Sequence, residues 1–289
     1  MRSRDERPIV AGVDASGSAR SAADWAAALA AVWGAPLHLL HAVPNAPRHV
    51  AAPDAPGWLR ELAAAAERAG AGPSRVEVIP GATIDVLADR APDARMLVLG
   101  SYGEGAWSGM LAGTVALTLA GHVPCPVAVV RGGGPKLSPP RSGPIVVGVD
   151  GSAASHAALL LAADLAVSLG THLVAVHAWS DISETEHGLH RRSEDAAELA
   201  AQGGALLSEE TRAISELYPG LAVADDLVSD SPVRTLLARA DGARMLVVGH
   251  RGRPPAPGMG LGSTSRALVE FAECPVVVTP PVPVAARSS

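Results

Sequence analysis

The sequence predicts an α/β protein made of two tandem domains, each an open parallel sheet covered by helices. Three observations lead to this prediction. The chain has 289 residues, which is enough for about two domains. Its second half repeats the residue pattern of its first half. Within each half, short apolar runs alternate with longer helix-like stretches, which is typical of parallel strands joined by helical crossovers.

The repeat is clearest where each half begins. The stretches that start at Ile9 and Ile145 align without gaps, and about two positions in five are identical. An aspartate occupies the same place in both, as Asp14 and Asp150. The ends of the two halves also match, so we infer that a whole domain has been duplicated.

A linker separates the two copies. Residues 132–143 contain three consecutive glycines and several prolines, and they lack apolar periodicity. We therefore place the first domain at residues 1–136 and the second at residues 137–289.

The first half illustrates the order of the elements. Apolar runs predict strands at 8–13, 37–43, 76–79, 96–99 and 127–130, and helices are predicted at 18–33, 58–69, 83–90 and 114–120. Ser16 or Ser18 is the candidate N-cap of the first helix. The last strands, 127–130 and 276–279, are apolar edges that invite pairing. We expect them to pair with each other and to relate the halves by a pseudo-twofold axis.

Composition argues against several classes of function. A net charge of -6 without a basic run disfavours a general nucleic-acid binder. No stretch reaches the roughly 18 apolar residues of a membrane span, and the N-terminus does not resemble a secretory signal. We therefore expect a cytoplasmic protein without nucleic-acid or membrane partners. Cys125 and Cys274 are expected to be reduced, buried thiols.

A glycine-rich loop follows the fourth strand of each half. Both copies have the spacing Gly-x2-Gly-x9-Gly-Ser/Thr, with glycines at Gly100, Gly103 and Gly113 and at Gly249, Gly252 and Gly262. Glycines allow a sharp turn and a close approach to a ligand. The final glycine precedes a helix N-terminus, which attracts anions. Since ligands of open sheets bind beyond the carboxyl ends of the strands, where Asp14 and Asp150 also lie, we predict a nucleotide site in each half.

These motifs together resemble the universal stress protein family in its two-domain form. The resemblance is carried by the Gly-Val-Asp end of the first strand, the glycine loop and the terminal Cys-Pro-Val strand. It implies a five-stranded, Rossmann-like parallel sheet in each domain, with ATP at the loop and Mg²⁺ or Mn²⁺ at the phosphates. It also implies a stress-response regulator whose conformation or set of regulatory protein partners depends on ATP, and the last strand mediates dimers in single-domain members.

The resemblance and the loops assign candidate nucleotide-binding residues to both halves. Those of the first half are Gly12, Asp14, Ala42, Val43, Gly100, Ser101, Tyr102, Gly103, Glu104, Gly105, Gly113, Thr114 and Val115. Those of the second half are Gly148, Asp150, Ala178, Trp179, Gly249, His250, Arg251, Gly252, Arg253, Gly262, Ser263 and Thr264. The aspartates would meet the nucleoside, and backbone at Ala42–Val43 and Ala178–Trp179 would lie against adenine. No catalytic residue or metal ligand is assigned.

The two loops differ in charge. Glu104 stands beside the expected phosphates of the first site, whereas Arg251 and Arg253, with His250 when protonated, surround the second. Pro254 and Pro255 lack backbone N–H donors and oppose this effect. We expect the second site to bind ATP more tightly.

Two other functions remain open at this point. One is a slow ATPase or a ligase-like enzyme of a related superfamily, although the first-strand loops contain neither an SGGxDS nor an HxGH pattern. The other is a dimerising scaffold that binds no nucleotide.

Several polar residues are expected to be structural. His41 and His177 are expected to be packed or hydrogen-bonded, and His187 and His190 to lie in a solvated loop. The acidic residues of the same insertion, Glu184, Glu186, Glu194, Asp195 and Glu198, are expected on a solvated helix face.

Overall fold

A computed structural model describes residues 6–44, 54–103, 112–132, 139–179, 182–185, 188–191, 196–252 and 260–281. Within these ranges the first half contains β1 (Ile9–Gly12), α1 (Gly17–Trp33), β2 (Leu37–Val43), α2 (Gly57–Arg68), β3 (Ser74–Pro80), α3 (Thr83–Arg90), β4 (Met96–Gly100), α4 (Thr114–Ala120) and β5 (Val127–Val130). A short 3-10 helix, Ala91–Asp93, follows α3. Each predicted element of this half is present, with its ends within two residues of the prediction.

The second half repeats this order with one addition. Its elements are β6 (Ile145–Gly148), α5 (Ala153–Leu169), β7 (Leu173–Trp179), β8 (Ile182–Thr185), β9 (Gly188–Arg191), α6 (Ala196–Leu217), β10 (Val223–Ser229), α7 (Pro232–Ala240), β11 (Met245–Val248), α8 (Ser263–Phe271) and β12 (Val276–Val278). The added strands β8 and β9 pair with each other in antiparallel fashion.

The acidic insertion is therefore not a single helix face. Glu184 lies in β8, where it pairs with the residue Leu189 of β9, and this part of the prediction is wrong. Glu198 lies in the first turn of α6, as expected. His190 lies in β9 rather than in a loop. The other acidic residues and His187 lie outside the described residues. Each of the two strands has four residues, and neither shows the alternation of apolar and polar residues that marks a strand in sequence.

The sheet has ten strands in the order β10-β7-β6-β11-β12-β5-β4-β1-β2-β3. Each half contributes five parallel strands. At the centre β12 runs antiparallel to β5, with Val277 opposite Ala128. The predicted pairing of the two last strands is confirmed, and the two halves form one continuous sheet.

Two apolar layers cover the sheet. On one face α1, α2, α5 and α6 share a core cluster that spans both halves, and on the other face α3, α4, α7 and α8 share a second cluster. Ser16 is the N-cap of α1, since its side chain accepts a hydrogen bond from the Ala19 amide. Because successive strand residues face opposite layers, the central strands β1, β4, β6 and β11 are apolar throughout.

The two cysteines belong to the second layer. Cys125 and Cys274 are unpaired thiols, and each is 2% exposed. Burial raises their pKa to about 11 and about 12. Both thiols stay protonated at neutral pH and pack as small apolar groups, as the sequence predicts.

Candidate functional site

The site in each half forms where β1 and β4, or β6 and β11, reach the same edge of the sheet. Gly12 pairs with Leu99 in the parallel register, so Asp14 and the loop after β4 emerge side by side. In the second half Val147 pairs with Val247, which brings Asp150 beside the loop after β11. The topology thus brings together the two motifs that the sequence singles out.

The two aspartates hold the same position in their halves. One carboxylate oxygen, Oδ1, accepts a hydrogen bond of 2.9 Å from the Ser16 amide in the first half and from the Ser152 amide in the second. The other oxygen, Oδ2, lies against the backbone of Gly103 or Gly252, where a β-carbon would collide with it. A β-carbon at the second glycine of each loop would therefore displace the neighbouring carboxylate.

A backbone hydrogen bond closes each loop. The Gly113 amide donates to the Ser101 carbonyl over 2.5 Å, and the Gly262 amide donates to the His250 carbonyl over 2.8 Å. Gly113 and Gly262 are the N-caps of α4 and α8, and neither offers a side chain to cap the helix. The first-turn amides of the two helices therefore have no side-chain acceptor at the cap, and a helix N-terminus of this kind is suited to an anion.

The first half encloses a crevice of about 520 Å³. It lies within the roughly 300–1,000 Å³ range of small-molecule sites. We call it the first crevice, and its lining includes Gly12, Val13, Asp14, Ala19, Leu40, His41, Ala42, Pro44, Thr83, Leu87, Leu99, Gly100, Tyr102, Gly103, Gly113, Val115 and Ala116. Most of these side chains are aliphatic or absent, with one carboxylate, one imidazole and one phenol among them.

The second half has a much smaller crevice of about 130 Å³. This second crevice has polar side chains where the first has alanine: Ser155 matches Ala19, and Ser265 matches Ala116. Arg251 takes the place of Tyr102, and its guanidinium Nε donates to the Gly260 carbonyl over 2.6 Å. The two halves therefore share the motif but differ in the volume of the crevice beside it.

His41 and His177, which match between the two halves, each use one ring nitrogen in a structural hydrogen bond. The Nδ1 atoms of His41 and His177 lie 2.9 and 2.7 Å from the Val13 and Val149 carbonyl oxygens, so each ring donates there. The His41 ring also packs edge-on against Trp58, with 5.1 Å between the ring centroids. The expectation of hydrogen-bonded histidines is confirmed.

His250 does not supply the positive charge that the sequence suggested. Burial and the neighbouring Arg251 lower its pKa below the usual histidine value. Its Nδ1 atom is buried and has no hydrogen-bond partner among the described residues. At neutral pH the imidazole is therefore uncharged, and a protonated His250 cannot be counted in favour of the second site.

The structure brings most of the predicted site residues together. Those that line the first crevice are Gly12, Asp14, Ala42, Gly100, Tyr102, Gly103, Gly113 and Val115. Those that line the second are Gly148, Asp150, Ala178, Gly249, Arg251, Gly252 and Thr264. Seven predicted residues lie beside the crevices without lining them: Val43, Ser101, Thr114, Trp179, His250, Gly262 and Ser263. Glu104, Gly105 and Arg253 lie outside the described residues.

Sequence reasoning missed one wall of each crevice. Thr83 and Leu87 of α3 line the first, and Pro232 and Leu236 of α7 line the second. These residues carry no recognisable motif. Their helices begin at the same sheet edge as the loops, and this is the signal that could have found them.

Comparison with known proteins decides the family. The model of the Universal stress protein family matches residues 6–131 and 142–280. The chain belongs to the universal stress protein family. A universal stress protein of Mycobacterium tuberculosis is 35% identical over 287 residues, which covers 93% of this chain and 95% of the relative. A second one from this organism is 33% identical over 296 residues, covering 95% and 97%.

Solved structures show the same fold for this universal stress protein. A universal stress protein from Archaeoglobus fulgidus superimposes with a TM-score of 0.66 over 95% of this chain and 98% of that chain, at 19% identity. A putative universal stress protein from Pseudomonas aeruginosa gives a TM-score of 0.64 at 17% identity, over 95% and 93% of the two chains. No helix among the described residues is long and apolar enough to cross a membrane.

Proposed function

We propose that this universal stress protein binds ATP in the first crevice, and more weakly in the second, and that bound ATP sets its conformation or its choice of regulatory protein partner. The observation that carries the proposal is the meeting of Asp14 with the glycine loop at the mouth of a 520 Å³ crevice. Each part of the lining suits one part of a nucleotide.

The loop end of the first crevice suits the phosphates. Gly103 and Gly113 expose backbone there, and α4 begins directly after Gly113. Backbone amides and the helix dipole stabilise negative charge at such a position. A Mg²⁺ or Mn²⁺ ion would be held mainly by the phosphate oxygens, since the described residues contain no cluster of three His, Cys, Asp or Glu side chains that could hold a metal.

The opposite end suits a nucleoside. The Asp14 carboxylate is an acceptor that can receive hydrogen bonds from ribose hydroxyls. Leu40, Ala42, Leu87 and Val115 supply apolar surface for a flat base. The Ala42 backbone pairs in the sheet with Ile79, so this wall of the crevice is rigid.

Binding is a better account of this lining than turnover. Among the described lining residues, the side chains that titrate in water are Asp14, His41 and Tyr102. The His41 Nδ1 and the Tyr102 hydroxyl are committed to backbone carbonyls. Asp14 accepts the Ser16 amide at one oxygen. These commitments favour binding over general-base catalysis at this site.

The test combines three measurements on the purified full-length chain: nucleotide that co-purifies, ATP affinity by calorimetry, and phosphate release. We expect ATP to bind at micromolar or tighter concentrations with negligible phosphate release. Gly113→Leu places a side chain at the loop and should abolish binding at the first crevice. Gly57→Leu is the matched control, because a β-carbon at this position contacts nothing within 4 Å.

The outcomes separate the three candidate functions. Bound ATP without release supports the regulatory proposal. Steady phosphate release that is lost in Gly113→Leu would replace it with a slow ATPase, and the absence of any nucleotide binding would leave the dimerising scaffold.

A further inference from the structure

The second crevice contacts the first half of the chain through its own loop. Arg251 lines that crevice and donates to the Gly260 carbonyl. Gly260 lies beneath the imidazole of His122, because a β-carbon at residue 260 would be 2.7 Å from the His122 Cε1 atom. A residue of the second site is thus one hydrogen bond and one packing contact away from the first half.

This contact falls at the end of α4. The His122 ring is fixed there, since Nδ1 donates to the Thr118 carbonyl over 2.7 Å. The adjacent Gly121 touches the loop with its backbone, and a β-carbon there would be 2.7 Å from the Leu261 amide nitrogen. The other end of α4 follows Gly113 in the first loop. At 1.5 Å per residue, this short helix spans only about 10 Å between the two loops.

A second route runs in the opposite direction. Tyr102 lines the first crevice, and its hydroxyl donates to the Gly132 carbonyl over 2.5 Å. The neighbouring Arg131 donates through Nη2 to the Glu270 carbonyl near the end of α8. The N-terminus of α8, at Ser263, follows the loop of the second crevice. Tyr102 and Arg251 hold the same loop position in their halves. Contacts from the first site therefore lead to the end of α8, and contacts from the second site lead to the end of α4.

We infer that the two crevices are energetically coupled, so that a nucleotide in one changes the affinity of the other through α4 and α8. The inference rests on the proposed ATP binding. Its physical basis is the two side-chain contacts between the halves: His122 packs on Gly260 of the second loop, and Arg131 donates to the Glu270 carbonyl near the end of α8. Through them a shift of one loop is passed to the helix of the other half. Coupling of this kind between sites is typically about 5-fold to 150-fold in affinity.

The experiment compares three full-length chains by ATP calorimetry. Gly113→Leu reports the second crevice alone, Gly262→Leu reports the first alone, and the unmodified chain reports both together. If the two sites are independent, the ATP isotherm of the unmodified chain equals the sum of the isotherms of the two blocked chains. Coupled sites depart from that sum, and we expect a departure equivalent to at least about fivefold in one affinity.

The contact routes are tested by removing them outside the crevices. His122→Ala with Arg131→Met deletes both cross-contacts, and its isotherm should return to the sum of the correspondingly blocked chains. His172→Ala with Arg212→Met is the matched control: His172 is exposed before β7, and Arg212 pairs with Glu216 on the surface of α6. This control should keep the departure.

Each result decides the inference. A wild-type isotherm equal to the sum, or a departure that survives loss of both contacts, overturns the coupling while leaving ATP binding intact. An absence of ATP heat in every chain overturns the proposed function and the coupling with it.

Discussion

The Oδ2 atom of Asp14 lies 2.9 Å from the place that a β-carbon at Gly103 would occupy. These residues belong to different loops, and the parallel register of β1 and β4 brings them together. The contact links the acceptor that we assign to the nucleoside with the loop that we assign to the phosphates.

Gly103→Ala should therefore weaken ATP binding. The new methyl group displaces the Asp14 carboxylate, and we expect affinity to fall about tenfold, or about 1.4 kcal/mol. Calorimetry on the folded variant measures the change, with Gly57→Ala as the control because its β-carbon meets open space. If affinity is unchanged at Gly103→Ala, the carboxylate does not contact the nucleotide.

The first crevice should bind ATP more tightly than the second, by about tenfold or more. The loop charges alone predict tighter binding at the second crevice. The volume of that crevice, about 130 Å³, is however below the range of typical ligand sites. His250 is also uncharged at neutral pH, because its pKa is lowered. Gly113→Leu should remove the tighter event and Gly262→Leu the weaker one. The reverse pattern would show that loop charge outweighs crevice volume.

Stability should fall as the pH drops below about 7. Burial, aided by Arg75, lowers the pKa of His38, and burial with Arg251 lowers that of His250. The folded chain then binds fewer protons than the unfolded chain below the usual histidine pKa of about 6.5. The free energy of unfolding therefore decreases as pH falls through that value towards the lowered folded values. Urea titrations at pH 7.5 and pH 5.5 measure this decrease.

Substitution of the two histidines tests the origin of that pH dependence. His38→Gln with His250→Gln should flatten the dependence, whereas His172→Gln, at an exposed position, should not. A dependence as steep in the double variant as in the unmodified chain would assign it to other groups.

The separated halves should self-associate. Residues 1–136 expose β5 and residues 137–289 expose β12 once the other half is absent, and each strand is buried and apolar. Antiparallel pairing with a second copy restores the missing neighbour. Sedimentation of each half at about 10 μM and above should give dimers, and Val129→Pro or Val276→Pro should reduce them by removing a backbone donor that faces the partner strand. Monomeric halves at high concentration would contradict this expectation.

The sequence predicted the framework because its signals are local and repeated. The apolar runs, the Ser16 cap and the glycine spacing each depend on a few neighbouring residues, and the duplicated copy supports them. The hairpin β8–β9 was missed because it occurs in one half only, within a stretch dominated by charge.

What the sequence could not give depends on distant residues. The unequal crevices result from differences such as Ala19 against Ser155, spread over several elements. The contact of Gly121 with Leu261 exists only because the two halves share one sheet. Gly121 belongs to no motif and Leu261 is a spacer residue of the second glycine loop, so nothing local marks their contact.

The two outer strands limit how far the sheet can grow. Glu77 in β3 binds Arg90 of α3 over 2.8 Å, and Asp226 in β10 binds Arg239 of α7 over 2.5 Å, so the same ion pair occurs at both margins. Charged side chains on an edge strand disfavour pairing with a further strand. Polymerisation through strand addition is therefore disfavoured at both margins.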